Sequence, residues 1–377
     1  MEFKNDYSNI PLSVEVKIGR NLHNQPNHPL EIIKRKIYCY PPFNTFETFD
    51  DLDPVVDTIN NFDLLRIPCD HVARSKSDTF WVTEETVLRT HTSAHQNQLL
   101  GTGHTKFLVT GDVYRKDEID RSHYPVFHQM EGVGLVPSGS DPKESLLTIL
   151  TGLVQYLFPD YTYRVNDDYF PFTDPSFEIE VKYKPELPDE DEDAWLEVLG
   201  CGVVHPEILD HNDLDGGYWA FGLGLERLAM VLFGIPDIRY FWSDHPRFLD
   251  QFESGKIVKF QPYSVLESIT NDISFWIPPS RVREVIDEKA GEEDKWVQTN
   301  DFYDYVRDIG GDWIEKVTLE DEFYHPKKNM LSRMYRLTYS PKDPTLSDPG
   351  EFRDLVLEIQ NRIRDGLVGV IPDIQLR

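Results

Sequence analysis

The sequence contains little cysteine and no long apolar run. Cys39, Cys69 and Cys201 are spread through 377 residues, and no two of them form a Cys-x-x-Cys pair. A disulfide framework or a zinc site is therefore not expected. No run of about 18 apolar residues is present, so we expect no membrane span and no membrane partner. Residues 1–13 are neither rich in arginine nor followed by an apolar signal region, and no targeting segment is visible.

Positive charge is also scarce. The chain has 38 Lys and Arg against 66 Asp and Glu, which gives a net charge of −28. Nucleic-acid-binding proteins usually carry a basic surface, so the composition by itself argues against RNA. One acidic run, 186–193, predicts a solvated loop, but the rest of the chain is acidic as well. Any RNA contact must depend on local basic patches, and we expect it to be sensitive to salt.

What the sequence does contain is typical of a globular enzyme, with 40% hydrophobic and 28% charged residues. Its length allows two or three domains. The polar, weakly patterned stretch 1–26 predicts an extended N-terminal arm. A stretch with glycine and proline predicts a linker over 256–268, which separates a domain over 27–255 from a second one over 269–377.

One stretch predicts an antiparallel hairpin. An apolar run, 106–117, is followed by a polar turn, 118–124, and by a second run, 125–131. Two strand-like segments joined by a short charged loop are typical of a hairpin.

The hairpin carries unusual side chains. Arg115, Arg121 and His123 cluster at its loop, while Gln129 and Glu131 share one face of the returning strand. The arginine fork matches phosphate oxygens, and the two polar side chains could bind an amine or hydroxyl of the same ligand. A surface hairpin with a salt-bridged turn is the alternative.

A second stretch, 216–232, predicts a glycine-punctuated strand that runs into an amphipathic helix carrying Arg227. Glycines let a ligand ring or a backbone approach closely. The start of the helix favours anions.

These stretches resemble a known family. Residues 111–131 resemble motif 2 of the class II aminoacyl-tRNA synthetases, and residues 222–227 resemble motif 3. Residues 92–96, 169–176 and 195–202 are similar to the corresponding segments of phenylalanyl-tRNA synthetases, in particular the single-chain organellar form.

The resemblance implies both a fold and a function. It implies an α+β protein with a class II antiparallel sheet flanked by helices and a C-terminal ferredoxin-like βαββαβ domain that binds the anticodon. Such a protein activates phenylalanine with ATP and Mg²⁺ and transfers it to tRNA(Phe). The resemblance further implies a monomer that acts in the mitochondrial matrix or a plastid.

The resemblance also assigns roles to residues of this chain. Arg115 is expected to hold the α-phosphate of ATP, His123, beside Arg121, the β- and γ-phosphates, and Arg227 the γ-phosphate from the other side. The other residues expected to bind phenylalanine or ATP are Ser93, Ala94, His95, Gln96, Ser122, Tyr124, Phe127, Gln129, Met130, Glu131, Phe170, Phe172, Thr173, Glu197, Ala220 and Phe221.

Some of these residues also have ordinary structural explanations. Phe170 and Phe172 fit a packed core pair as well as the wall of an amino-acid pocket. By resemblance they form the wall, and Thr173 and Ala220 set the depth of the pocket. The hydroxyl of tyrosine would then be buried without a partner.

Three polar residues are open to more than one interpretation. Ser93 fits a helix N-cap as well as a ligand contact. Glu197 lies within an apolar strand and must meet an arginine or hold Mg²⁺ with the substrate. Asp117 stands where many class II enzymes have glutamate, and a shorter acid reaches less far towards adenine.

Two other functions fit a synthetase-like sequence. One is a paralogue that adenylates an amino acid or other small molecule without charging tRNA. The acidic composition favours this alternative, whereas the intact C-terminal module argues against it. The other is a regulatory binding protein without catalysis, which the presence of Arg115, His123 and Arg227 argues against.

Further elements follow from periodicity. Helices are predicted over 30–38, 142–158, 301–309 and 351–364, and strands over 78–82, 87–93, 161–165, 176–183, 273–277, 313–323, 330–339 and 370–376. The C-terminal order is that of a ferredoxin-like split βαβ unit. The basic residues Lys327, Lys328, Arg333 and Arg336 could form an RNA-binding face or a solvated hairpin edge.

Overall fold

The computed structural model describes residues 7–182, 195–262, 266–282, 296–341, 346 and 348–377. The acidic run at 186–193 lies outside these residues, as does part of the predicted linker. The chain divides into two compact units. The first contains Lys17–Arg115, Val126–Gln261 and the chain before Pro11, and the second contains Pro11–Val16, Lys116–Pro125 and Pro262–Arg377. The domain boundaries proposed from the sequence remain a prediction.

The strands are numbered along the chain. They are β1 Glu47–Phe49, β2 Val55–Asp57, β3 Thr86–Leu88, β4 Lys106–Tyr114, β5 Val126–Leu135, β6 Tyr163–Asp168, β7 Thr173–Lys182, β8 Trp195–Val204, β9 Tyr218–Gly224, β10 Ile269–Ile277, β11 Ile314–His325, β12 Met330–Tyr339 and β13 Gln375–Leu376.

The α-helices are numbered in the same way. They are α1 Leu12–Glu15, α2 Pro29–Tyr38, α3 Thr58–Asn61, α4 Gln96–Gly101, α5 Pro142–Leu157, α6 Pro206–His211, α7 Leu225–Phe233, α8 Pro246–Leu249, α9 Thr299–Gly310 and α10 Pro349–Val370. Among the described residues, none of these helices is both long and apolar enough to cross a membrane.

The first unit is built on a seven-stranded sheet with the order β1-β4-β5-β9-β8-β7-β6. Its neighbouring strands are antiparallel except for β1 and β4, which pair in parallel, so the sheet is mixed rather than wholly antiparallel as predicted. The predicted hairpin is confirmed as β4 and β5, with Gly111 opposite Gln129. A separate two-stranded sheet pairs β2 with β3.

Helix α5 shows how the sequence produces this architecture. Pro142 occupies its first turn, and the Asp141 carboxylate caps it by accepting a hydrogen bond from the Lys143 backbone N–H at 2.9 Å. Its apolar residues recur every three or four positions, so one side of the helix is buried while the other faces water. Full burial of each leucine stabilises the fold by about 2 kcal/mol, and this face packs against β8 and β9.

Several predicted elements differ from those observed. The strand predicted over 78–82 is reduced to a single bridge between Trp81 and Val87. The Thr83 hydroxyl accepts hydrogen bonds from the N–H groups of Glu85 and Thr86, so the chain turns directly after Val82. The strand predicted over 87–93 ends at Leu88, and a 3-10 turn follows at Thr92–His95.

The elements predicted at the two ends of the chain also differ from those observed. The N-terminal arm is not wholly extended, because it contains α1 and a 3-10 turn at Leu22–Asn24, and its residues Val14, Leu22 and His23 are buried. At the C-terminus, α10 continues through Val370, and only Gln375–Leu376 forms a strand. The helix is longer because its apolar stripe continues to the buried Leu367.

The second unit has a four-stranded antiparallel sheet with the order β11-β12-β10-β13. With α9 between β10 and β11 and α10 between β12 and β13, the predicted ferredoxin-like βαββαβ order is confirmed. Phe302 joins sheet and helix, since its ring lies 4.6 Å from that of Tyr335 and 5.5 Å from that of Phe275.

The segment Lys116–Pro125, which contains the predicted hairpin loop, packs within this second unit. Ile119 is buried in the core of the unit, and its carbonyl accepts a hydrogen bond from the Val317 N–H at 2.9 Å. Arg121 lies 2.7 Å from Glu315. The loop is therefore an ordered part of this unit rather than a free surface turn.

Candidate active site

Three neighbouring strands of the first unit form the floor of the site. Glu131 of β5 lies opposite Gly222 of β9, and Gly222 lies opposite Gly200 of β8. Directly paired residues point to the same face of a sheet. A Cβ atom added at Gly222 would meet no atom within 4 Å, so open space lies above the strand at this point. The two glycines leave a shallow floor with one carboxyl group at its edge.

A cavity of about 330 Å³ lies over this floor, which suits a ligand of amino-acid size. Eleven of the residues that line it were predicted as site residues, namely Ser93, Gln96, Arg115, Gln129, Glu131, Phe170, Phe172, Thr173, Glu197, Ala220 and Phe221. Sequence reasoning missed five lining residues, namely His91, Thr92, Gly200, Cys201 and Gly222. The two glycines could have been found from the strand register, since they share a face with Glu131.

Glu131 dominates the electrostatics of the cavity. Its side chain is buried, and neither carboxyl oxygen has a hydrogen-bond partner among the described residues. Burial raises the pKa of Glu131 to about 8, an effect that nearby Ser93 partly offsets. An unpaired buried carboxyl group is costly, so this position calls for a cationic ligand.

Arg115 lies at the end of β4, on the border of the cavity. Its Nε donates a hydrogen bond to the Thr90 carbonyl at 2.7 Å, and its guanidinium lies 5.3 Å from the centre of the Phe127 ring. Burial and the charge of Arg115 lower the pKa of neighbouring His91 to about 3. His91 is therefore neutral at pH 7, and Arg115 supplies positive charge.

A buried network supports the segment that carries Ser93 and Gln96. The Arg89 guanidinium donates to Asp112 Oδ1 at 2.7 Å, to the Asp112 carbonyl at 2.7 Å and to His95 Nε2 at 2.9 Å. Arginine cannot accept, so Nε2 is the acceptor and the neutral ring carries its proton on Nδ1. Burial and Arg89 lower the pKa of His95 to about 4. His95 is thus a supporting residue and does not line the cavity.

The apolar wall of the cavity comes from Phe170 and Phe172. Their rings stack with centroids 5.8 Å apart and planes 16° apart. A Cβ atom at Gly200 would lie 2.8 Å from Cζ of Phe170, so the glycine is what lets this ring lie against the sheet. The Thr173 hydroxyl already has a hydrogen-bond partner, because its Oγ1 lies 2.7 Å from Ser176 Oγ.

Glu197 meets an arginine, which was one of the two predicted alternatives. Its carboxylate lies 3.2 Å from NH1 of Arg227, and both side chains are partly exposed. The described residues contain no group of three or more His, Cys, Asp or Glu that could hold a metal ion. The donor set around Glu197 therefore does not fit a resident Mg²⁺ ion held by protein side chains.

Four predicted site residues make packing contacts, and all of them except Phe221 lie outside the cavity lining. Ala94 is buried in a small core cluster with Phe62, and Met130 is fully buried. Phe127 lies beneath Arg115, and the ring of Phe221 stacks on Phe43 with centroids 5.6 Å apart. These four residues have packing contacts that strand alternation alone does not reveal.

Ser122, His123 and Tyr124 belong to the second unit. There His123 Nδ1 lies 2.7 Å from Asp120 Oδ2, and the Tyr124 hydroxyl donates to Asp312 at 2.7 Å. The interaction with His123 holds the pKa of Asp120 below its usual range, even though burial opposes this. Their predicted roles towards ATP remain a prediction.

The comparisons with known proteins agree with this geometry. The family model for the class II core domain of tRNA synthetases matches residues 11–252. A chloroplastic/mitochondrial phenylalanine–tRNA ligase of Arabidopsis thaliana is 46% identical over 95% of this chain and 80% of its own length. The mitochondrial enzyme of Mus musculus is 44% identical over 91% of this chain and 81% of its own length.

A more distant relative shows the same pattern. The mitochondrial phenylalanine–tRNA ligase of Saccharomyces cerevisiae is 34% identical over 90% of this chain and 87% of its own length. The chain therefore belongs to the class II aminoacyl-tRNA synthetases, and within them to the family of the mitochondrial and chloroplastic phenylalanyl-tRNA synthetases.

Proposed function

We propose that the cavity of the first unit binds phenylalanine and that this phenylalanine–tRNA ligase activates it there with ATP. The observation that carries the proposal is that one cavity has a buried carboxyl group and an aromatic wall. The buried, unpartnered carboxyl group of Glu131 lies at one side of the cavity and the Phe170–Phe172 wall at another. An ammonium group beside Glu131 and a benzyl group against the rings would satisfy both at once.

Polar groups around Glu131 complete the recognition of the amino acid. Ser93, Gln96 and Gln129 line the same cavity and would bind the α-amino and carboxylate groups. Thr173 and Ala220 would limit the depth of the apolar end. Because Thr173 Oγ1 is engaged with Ser176, the hydroxyl of tyrosine would find no ready partner there.

In the first step, a carboxylate oxygen of phenylalanine attacks the α-phosphorus of ATP. A carboxylate–phosphorus bond forms, the bond to the bridging oxygen breaks, and pyrophosphate leaves. Arg115 would neutralise the charge that builds at the α-phosphate, because its guanidinium borders the cavity. No protein group forms a covalent intermediate, so positioning and charge neutralisation supply the catalysis.

Arg227 would bind the γ-phosphate. Its present partner is Glu197, and an exposed pair of this kind contributes little to stability, so exchanging the carboxylate for a phosphate costs little. His123 would bind the β- and γ-phosphates. Mg²⁺ would enter as part of the nucleotide substrate.

In the second step, the aminoacyl group passes to the terminal ribose of tRNA(Phe) and AMP leaves. The ferredoxin-like unit would bind the anticodon. We further propose that the protein is a monomer that works in organelle translation, in the mitochondrial matrix or a plastid. The names of the relatives support the organelle, since they are called mitochondrial or chloroplastic.

The test is ATP–pyrophosphate exchange measured with each of the twenty amino acids, followed by aminoacylation of tRNA. We expect exchange with phenylalanine and a loss of at least 100-fold in Arg115→Ala, as removal of one transition-state charge contact produces. Arg164→Ala is the matched control, because Arg164 is an exposed arginine of β6 that pairs with Glu180. Exchange without aminoacylation would favour the tRNA-independent paralogue, and no exchange at all would favour the regulatory binding protein.

A further inference from the structure

We propose that Arg66 is a positioning residue that sets amino-acid specificity by holding the loop that carries Phe170 and Phe172. The proposal rests on the assignment of the cavity as the phenylalanine site. It extends that assignment to a residue that lies outside the cavity lining.

Arg66 joins two partners with one guanidinium. Nε and NH2 donate to the two carboxylate oxygens of Glu207 at 2.9 and 3.3 Å, and NH1 donates to the carbonyl of Pro171 at 2.7 Å. Pro171 lies between the two wall residues. The ion pair with Glu207 is the fork-to-fork arrangement that fixes the plane of a guanidinium, so it directs NH1 at the loop.

The backbone of the loop is held at each of its three carbonyls. The Phe170 carbonyl accepts from the Thr173 N–H at 3.2 Å, and the Phe172 carbonyl accepts from the His205 N–H at 3.0 Å. The middle carbonyl, that of Pro171, accepts from Arg66. The first two bonds are made by backbone N–H groups, whereas the third depends on a side chain.

The backbone at Arg66 is unusual in a way that supports this role. Arg66 follows the 3-10 turn Asp63–Leu65 and has φ of 60°, in the left-handed region that side chains rarely adopt. The next residue, Ile67, packs against the core cluster that contains Phe62. The fold therefore holds an arginine in a backbone conformation that favours glycine. The side chain that glycine lacks is the one that binds Glu207 and Pro171.

The position of the two wall rings depends on the loop backbone, because the sheet residue beneath Phe170 is a glycine. Phe170 lies against Gly200, which has no side chain to fix the ring. Phe172 is partly buried and packs against an apolar cluster. If the Pro171 carbonyl lost its partner, both rings could shift. A looser wall would hold the benzyl group less well and would accept the larger tyrosine ring more readily.

The test uses Arg66→Gly, which removes the guanidinium and suits the left-handed backbone, so that the protein retains its fold. In ATP–pyrophosphate exchange we expect the KM for phenylalanine to rise about tenfold while the KM for ATP stays within about twofold. We expect the ratio of kcat/KM for phenylalanine over tyrosine to fall at least about fivefold. Circular dichroism and thermal melting establish that the variant is folded.

Two further variants separate positioning from general structure. Arg164→Ala is the control, because Arg164 is an arginine of β6 that pairs with Glu180 and does not belong to the segment around Arg66. It should leave both KM values unchanged. Arg66→Lys keeps the charge but has a single ammonium in place of the fork, so it should show a smaller shift in the same direction as Arg66→Gly.

The outcomes are distinguishable. Wild-type kinetics and specificity in both Arg66 variants would overturn the proposal, and so would a parallel rise of the KM for phenylalanine and ATP, which indicates a general structural role. If Arg66→Gly does not fold, Arg66→Lys decides by the same two measurements. Absence of exchange in the unmodified protein would instead refute the assignment of the cavity, and this proposal with it.

Discussion

Glu131 combines burial with a lack of protein partners, and both properties affect how the cavity binds a ligand. Because its pKa is raised from 4.5 to about 8, the folded protein holds a proton there that the unfolded chain releases. The free energy of unfolding therefore falls as the pH rises through the window between these two values. An ammonium ligand reverses this balance, because it favours the charged carboxylate.

We predict that phenylalanine binds about tenfold more tightly for each pH unit between pH 6 and 7.5, since the carboxyl group must lose its proton on binding. Isothermal titration calorimetry in buffers of different ionisation enthalpy measures the affinity and the released proton together. Glu131→Gln should bind more weakly and with no such pH dependence. An equally steep profile in that variant would show that another group is responsible.

Gly111 has no room for a side chain, which the sequence alone does not reveal. A Cβ atom there would lie 2.0 Å from NH2 of Arg89. The end of an arginine can usually move, but this guanidinium is buried and bound to Asp112 and His95. We predict that Gly111→Ala lowers the free energy of unfolding by about 3 kcal/mol, which chemical denaturation can measure. Gly222→Ala is the control, because a Cβ atom at Gly222 would meet no atom within 4 Å, and it should lower the free energy of unfolding much less. Gly139→Ala is unsuitable because Gly139 has positive φ.

At the scale of elements, β5 and α7 are joined by one buried pair. Both carboxylate oxygens of Glu226 accept from His128, one from its backbone N–H at 2.8 Å and one from Nδ1 at 2.6 Å. Both side chains are buried. Since Arg227 follows Glu226 in the first turn of α7, this pair fixes the helix that carries the proposed γ-phosphate ligand.

We predict that Glu226→Ala lowers the free energy of unfolding by about 3 kcal/mol, because two buried donors lose their acceptor. Glu226→Gln keeps one acceptor oxygen and should lose less. In exchange kinetics, Glu226→Gln should raise the KM for ATP more than the KM for phenylalanine, since α7 carries Arg227 rather than the amino-acid pocket. Glu47→Ala, which removes an exposed carboxylate that lies 2.8 Å from His104 Nδ1, is the control and should have almost no effect.

At the scale of the whole molecule, a net charge of −28 limits how the protein can bind tRNA. Two members of the basic face predicted in the C-terminal unit are engaged within the fold. Arg333 is buried and lies 2.7 Å from Glu322, and Arg336 lies within 3.2 Å of both Asp272 and Glu320. Arg333 is therefore not part of an exposed RNA-binding face, and that prediction was wrong for it. Lys327 and Lys328 are exposed.

We predict that tRNA binding is sensitive to salt with a slope of log K against log salt no steeper than about −4, since two of the four cations of the predicted basic face are paired within the fold. Filter binding between about 50 and 300 mM KCl measures this slope. The double substitution of Lys327 and Lys328 by alanine should make it shallower by at most about 2. A slope near −8 would contradict the prediction and would indicate that cations outside this face bind the tRNA.

Local patterns determined much of this protein. The two apolar runs that form β4 and β5, the apolar stripe of α5 and the βαββαβ order after residue 269 could be predicted from the sequence, because each depends on neighbours along the chain. The resemblance of five segments also identified eleven of the cavity-lining residues. Side chains on one face of a strand share their surroundings, so a motif transfers well to a new sequence.

Only the tertiary structure decided which of these residues meet. Glu197 could have met a metal or an arginine, and its partner, Arg227, lies 30 residues away along the chain. The contacts of Arg89 and Arg66 could not be predicted from the sequence, because their partners Asp112 and Pro171 are brought near by folding alone. A sequence pattern records which face a residue occupies, but distances between distant segments are set by how the sheet, the turns and the buried charges pack together.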